Sequence, residues 1–117
     1  MEVINIAFGI RSKIELLEKM RKEIKERAEN KARSISEYDK ALALAIIKIK
    51  NKAITEFDGE EIKATAANEI EKIARGYCWK ERLEMETADG LYKSVISNIN
   101  SVMAEINGLQ SINKHLD

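Results

Sequence analysis

METADGLYKSVISNINSVMAEINGLQSINKHL, residues 85–116, decides how this chain folds. Its apolar positions are Met85, Ala88, Tyr92, Val95, Ile99, Val102, Ile106, Leu109 and Leu116. Most of the steps alternate between three and four residues. That is the seven-residue repeat of an α-helix laid lengthwise against another helix. The partner is found near the N-terminus. Ile10, Ile14, Leu17, Ile24, Ala28, Ile35, Tyr38, Leu42, Ala45 and Ile49 follow the same rhythm. Ile96 and Met103 lie beside the later stripe and widen it.

The rest of the composition agrees. The 117 residues contain no proline and only 5 glycines, so little interrupts a long helix. The expected architecture is all-α: a long antiparallel, coiled-coil-like helical hairpin with a short helix between its arms. We read one domain over 1–117, with a long helix at about 10–53, a short helix at about 59–75 and a long helix at about 79–115. Residues 2–9 are apolar but poorly periodic, and Gly9 weakens a helix there. They are read as a frayed first turn or a docking arm.

A helix over 10–53 would extend roughly 65 Å at 1.5 Å per residue. No such helix stands alone in water. Its polar side carries Glu15–Lys19, Glu18–Lys22, Glu23–Arg27 and Glu29–Arg33, each pair four apart with the acid first, the favourable order. Two stripe positions are polar, Arg21 and Lys31. Their stems are expected to cover the seam while their heads reach water, with Met20 turning inward beside Arg21. The sharper alternative is that they set register or oligomeric state.

Between the long helices, Asp58 and Glu61 are spaced as a capping box, which places a helix start at Asp58. Ile62, Ala66, Ile70 and Ile73 would form its buried face. Gly76 reads as its stop.

Net charge is zero but unevenly spread. Residues 1–55 hold 13 Lys/Arg against 8 Asp/Glu, and residues 56–117 hold 7 against 12. An antiparallel fold lays the basic half on the acidic half. The single Cys78 excludes an intrachain disulfide framework and a multi-cysteine zinc site. No apolar run approaches the ~20 residues of a membrane span. Glu2 sits where a signal peptide carries positive charge. The cytoplasm is the expected location, with no membrane contact.

No catalytic pattern stands out. There is no glycine-rich phosphate loop, and the lone His115 sits near the chain's end, where a cation suits a helix C-terminus. A di-iron bundle would need inward Glu-x-x-His motifs, which one histidine cannot supply. No enzyme activity, cofactor or metal is expected. Cys78, near a helix start, reads as a small buried hydrophobe rather than a reactive thiol. Trp79 reads first as a pin for a helix-start turn. The alternative is a stacking platform, flanked by Arg75, Lys80 and Arg82. Lys48, Lys50 and Lys52 form a second basic cluster, joined by Lys40. Brought together at the hairpin end, these residues would be the contact for a protein partner or a nucleic acid.

After Lys93 the outer face of the last helix turns neutral: Ser94, Ser97, Asn98, Asn100, Ser101, Asn107, Ser111 and Asn113. Two helices alone bury too little surface, so self-association through this helix into a homo-oligomer is expected. An ordinary wet face of Ser and Asn is the alternative.

Several short stretches, taken in order, resemble one family. They are Ala41-Leu42-Ala43-Leu44-Ala45 leading to Lys48, Lys50 and Lys52, and Ile73-Ala74-Arg75-Gly76. Ala88-Asp89-Gly90-Leu91-Tyr92-Lys93 and Ile106-Asn107-Gly108-Leu109-Gln110-Ser111 follow. Over about the last two-thirds of its length, the chain is similar to small helical proteins of phages and prophages of Gram-positive bacteria. Cys78-Trp79-Lys80 departs from the acidic and apolar residues expected after the glycine. The resemblance implies an uncharacterised accessory, often encoded near replication and recombination genes, and it carries over no catalytic residue. The leading expectation is a phage-derived interaction or assembly protein. The alternative is a nucleic-acid-binding accessory in phage replication or recombination.

Overall fold

The computed structural model describes the backbone of residues 2–116 and the side chains of residues 2–115. Leu116, the last residue of the apolar stripe, lies outside the described side chains. The order is α1 (Glu2–Lys50), β1 (Glu56–Phe57), β2 (Glu60–Glu61), α2 (Ala67–Tyr77) and α3 (Trp79–Leu116). This is the all-α hairpin that the repeats predict. α1 and α3 pair antiparallel, and the short α2 lies between them in sequence. The chain divides into two compact units, Met1–Glu29 with Gly90–Asp117, and Asn30–Asp89.

In the first unit, the inward residues of α1 are Ile6, Ile10, Lys13, Leu17, Met20, Ile24 and Arg27. Those of α3 are Tyr92, Val95, Ile99, Val102, Ile106, Leu109 and Asn113. Both series step by three and four. Val95, Val102 and Ile106 are the buried apolar residues here. Lys13 pairs with Glu105, and a Cβ at Gly9 would stand 3.6 Å from Leu109 Cδ1, which fixes the antiparallel register.

α1 starts at Glu2, eight residues before the expected Ile10. A mid-helix glycine costs about 1 kcal/mol, but Gly9 lies against Leu109 and the seam continues through Ile6. Three apolar stripe members, Ile14, Ala28 and Ile35, lie just outside the seam and are exposed. Lys13, Met20, Arg27, Lys31 and Ser34 take the inward places, because a strict seven-residue step selects them. Arg21 is exposed and Met20 is turned in, so only Lys31 of the two polar stripe residues lies at the seam.

In the second unit the core joins Tyr38, Ala45 and Ile49 of α1 to Ile70 and Ala74 of α2 and to Cys78. Leu42, Ile46, Ile54, Ile62, Ile73 and Met85 pack around it. Lys31 pairs with Asp89 at 3.1 Å. Ser34 is buried and donates its hydroxyl to the Lys31 carbonyl at 2.8 Å, which satisfies it within its own helix.

α1 ends at Lys50 rather than near Ala53. Lys52 adopts a left-handed φ of 63°. Its N–H reaches the Ile49 carbonyl at 3.2 Å, and the Ala53 N–H reaches the Lys48 carbonyl at 2.8 Å. These two bonds make a Schellman cap, with lysine where glycine is usual.

Asp58 does not cap a helix. Asp58 and Gly59 both have positive φ, 51° and 83°, the geometry of a two-residue type I′ turn. The turn pairs Glu56 with Glu61 and Phe57 with Glu60. The Ile62 N–H then donates to the Thr55 carbonyl at 2.8 Å. Beyond the turn, Ile62 and Ala64 face inward while Lys63 and Thr65 face out, a two-residue period. The short helix therefore begins at Ala67 rather than near residue 59, and Ile62 and Ala66 are not on it.

Gly76 lies within α2 rather than stopping it. A Cβ there would stand 3.7 Å from the Phe57 ring, so the glycine lets that ring lie close. Cys78 joins the two helices. Its N–H donates to the Ala74 carbonyl, and its carbonyl accepts from the Arg82 N–H.

Candidate interaction surfaces

Two basic groups sit near the turns of the second unit. The C-terminal turn of α1 and the chain leading into α2 bound an open cleft of about 690 Å³. Lys50, Lys52 and Lys63 line it over a floor of Ile49, Ile54, Ile62 and Ile70, with Glu61 at its side. Lys48 is exposed on the last turn of α1 and is not part of that lining. The helix start beside the cleft, at Ala66, has no side-chain cap.

The second group surrounds Trp79. The indole is 54% exposed, so it does not pin a turn to the core. Lys80 Nζ lies 5.5 Å from its ring centroid, within cation–π range. Both residues line a groove with Phe57, Asp58, Gly76, Tyr77 and Glu81. The Phe57 and Tyr77 rings meet at 6.0 Å and 54° on its wall. Arg75 is engaged with Glu71 at 2.6 Å, and Arg82 is exposed on α3.

The structure thus brings Lys50 to Lys52, and Trp79 to Lys80. It does not merge the two groups, since the cleft and the groove share no lining residue. Lys40 and Lys80 line a third depression together with Glu37, Glu81 and Glu84, so acids intervene between the lysines. Sequence reading missed Lys63. The two-residue alternation from Glu61 to Thr65 was the signal that would have turned it outward beside Lys50.

Cys78 is 3% exposed. Burial raises its thiol pKa, and the nearby Glu81 carboxylate raises it further. Such a thiol is poorly ionised and a weak nucleophile near neutral pH. Among the described residues no group of three or more His, Cys, Asp or Glu is placed to hold a metal ion. Nor is any described helix long and apolar enough to cross a membrane.

The third surface is the side of α3 that faces away from α1. From Ser94 to Asn113 only Glu105 is charged, and it pairs with Lys13. Leu91, Met103 and Ile112 are exposed on or beside this stretch, at 42%, 50% and 52%. The outer side of α1 in the same unit is dense with Lys, Arg and Glu from Arg11 to Glu26, while near its start Val3, Ile4 and Phe8 are exposed. No protein-family model, curated protein or solved structure matches this chain. The fold defines the class, a helical hairpin whose last helix carries a single charge, Glu105, between Ser94 and Asn113.

Proposed function

We propose that this chain is a non-enzymatic interaction or assembly protein of phage or prophage origin, acting in the host cytoplasm by recognition along a helix face. One observation carries the reading: from Ser94 to Asn113 the outer side of α3 carries a single charge, Glu105, and Leu91 and Ile112, three heptads apart on one side of the helix, lie in water. Apolar anchors at helical spacing are the usual means by which one helix recognises another surface. The phage origin rests on the sequence resemblance. The basic residues favour a nucleic-acid role less, because Glu61, Glu81, Glu84 and Asp58 are interleaved with them.

Fluorescence anisotropy with labelled single- and double-stranded DNA separates the two readings. The expected result is no binding that depends steeply on salt between 50 and 200 mM, the range over which phosphate contacts lose about 10³–10⁵ in affinity. Micromolar binding with such a slope, abolished in Lys50→Glu/Lys52→Glu, would replace the proposal with the nucleic-acid accessory.

A further inference from the structure

We propose that the groove around Trp79 binds an arginine side chain presented by a basic segment of a partner protein. The groove encloses about 660 Å³. It lies apart from the Ser94–Asn113 side of α3, and it stands whether or not that side has a partner.

Three of the chain's six aromatic residues meet here, each from a different element. Phe57 belongs to the small hairpin, Tyr77 ends α2 and Trp79 begins α3. Packing within the unit uses only part of them. Phe57 lies on Gly76 and against the Tyr77 ring. Tyr77 is still 45% exposed and Trp79 54%. A phenol and an indole left half in water at one groove hold unused apolar surface and unused π faces.

Charge decides what those faces take. The hairpin carries Glu56, Asp58, Glu60 and Glu61 with no base among them. Asp58 lines the groove. Glu60 is the partner of Phe57 across the hairpin, so its side chain leaves on the same face. Glu81 adds a carboxylate from α3. None of these three is ion-paired among the described residues. Arg75 is held by Glu71, and Arg82 is not part of the lining. Such a rim repels a phosphate backbone and attracts a cation.

Lys80 already marks the position. Its Nζ stands 5.5 Å from the indole centroid, near the outer limit of about 6 Å for such a contact. A cation from outside takes the same face by displacing one exposed, flexible chain. Arginine suits the groove better than lysine. Its planar guanidinium stacks on the indole while its fork of N–H donors reaches carboxylates at the ring's edge.

Trp79 is the sole tryptophan, so its emission reports on the groove directly. Titrating the full chain with the capped peptide acetyl-Gly-Arg-Gly-Arg-Gly-amide should give a saturable change with a midpoint below about 5 mM, as a few weak charged contacts provide. The peptide with lysine in place of arginine should bind at least ~3-fold more weakly. Asp58→Asn combined with Glu81→Gln should weaken binding at least ~5-fold. Asparagine tolerates the left-handed φ of 51° at position 58, so the circular dichroism should not change. Lys80→Ala should tighten binding ~2–5-fold by clearing the indole. Lys63→Ala removes the same charge outside the groove and should change it less than ~1.5-fold at physiological salt. No saturable change overturns the proposal, as does equal binding by the lysine peptide or by the Asp58→Asn/Glu81→Gln chain. An equal gain from Lys63→Ala overturns it too. Tighter binding of a short single-stranded DNA would do the same, by making the groove a base-stacking platform.

Discussion

Replacing Ile70 by alanine should release α2 from the second unit while the long helices stay paired. α2 has only 11 residues, fewer than the ~12–15 at which an isolated helix becomes marginal in water. Its helical state must come from packing. Ile70, 6% exposed, and Ala74, fully buried, are the two residues that α2 commits to the core. Ile70→Ala removes three carbon groups, about 2.4 kcal/mol at ~0.8 kcal/mol each. Incomplete collapse around the gap brings the expected loss to about 3 kcal/mol. That corresponds to roughly 100-fold in an opening equilibrium. Amide hydrogen exchange read by mass spectrometry should therefore quicken about 100-fold over residues 67–77. The middle of α1 and α3 should change far less. Glu71→Ala is the control: it removes the exposed Arg75 pair, worth ~0.3–0.5 kcal/mol, and should alter exchange about twofold. Unchanged exchange in Ile70→Ala, or an equal effect from the control, would refute the idea that core packing rather than local propensity holds this helix.

Other outcomes follow from single residues. Lys52→Gly should raise stability to urea by ~0.5–1 kcal/mol, because glycine adopts the left-handed Schellman position without the side-chain penalty; a loss of stability would mean that the cap is built otherwise. Gly59→Ala should cost about 1 kcal/mol in the same assay through its positive φ alone, since no atom lies within 4 Å of the added carbon. The Cys78 thiol should react slowly with a disulfide reagent at pH 8 in the folded chain and quickly in urea. Because its pKa is raised on folding, its contribution to stability is whole below the unfolded thiol's pKa and is lost as pH rises through the folded value; Cys78→Ala should remove that part of the alkaline decline in a urea titration. A double-mutant cycle on Lys13→Ala and Glu105→Ala should return a coupling of at most ~1 kcal/mol, as the paired ammonium and carboxylate both keep contact with water.

The long helices were legible because they obey a period that tolerates no other structure. The seven-residue series through Tyr92, Ile99 and Ile106 stands in the seam as read. Ile14 and Ile35 misled, because hydrophobicity alone cannot tell a seam position from its neighbour one place away. The long stems of Lys13 and Lys31 can fill a seam position as well as isoleucine can. The middle segment was harder. Asp58 satisfies both a helix-cap pattern and a hairpin-turn pattern. The following Gly59 decides for the hairpin, since both turn residues need positive φ. Among the candidate contacts, sequence pointed to Lys50 with Lys52 and to Trp79 with Lys80. The separation of cleft from groove depends on where the small hairpin sits, which no local spacing encodes.

The central claim is that within each unit α1 and α3 run antiparallel with their inward residues at seven-residue spacing. A zero-length carbodiimide cross-link read on the monomeric gel band tests it most directly, because it joins only amines and carboxylates in contact. The account predicts two intrachain products, Lys13 with Glu105 and Lys31 with Asp89. Products joining Lys31 to Glu105, or Lys13 to Asp89, in place of these would contradict it.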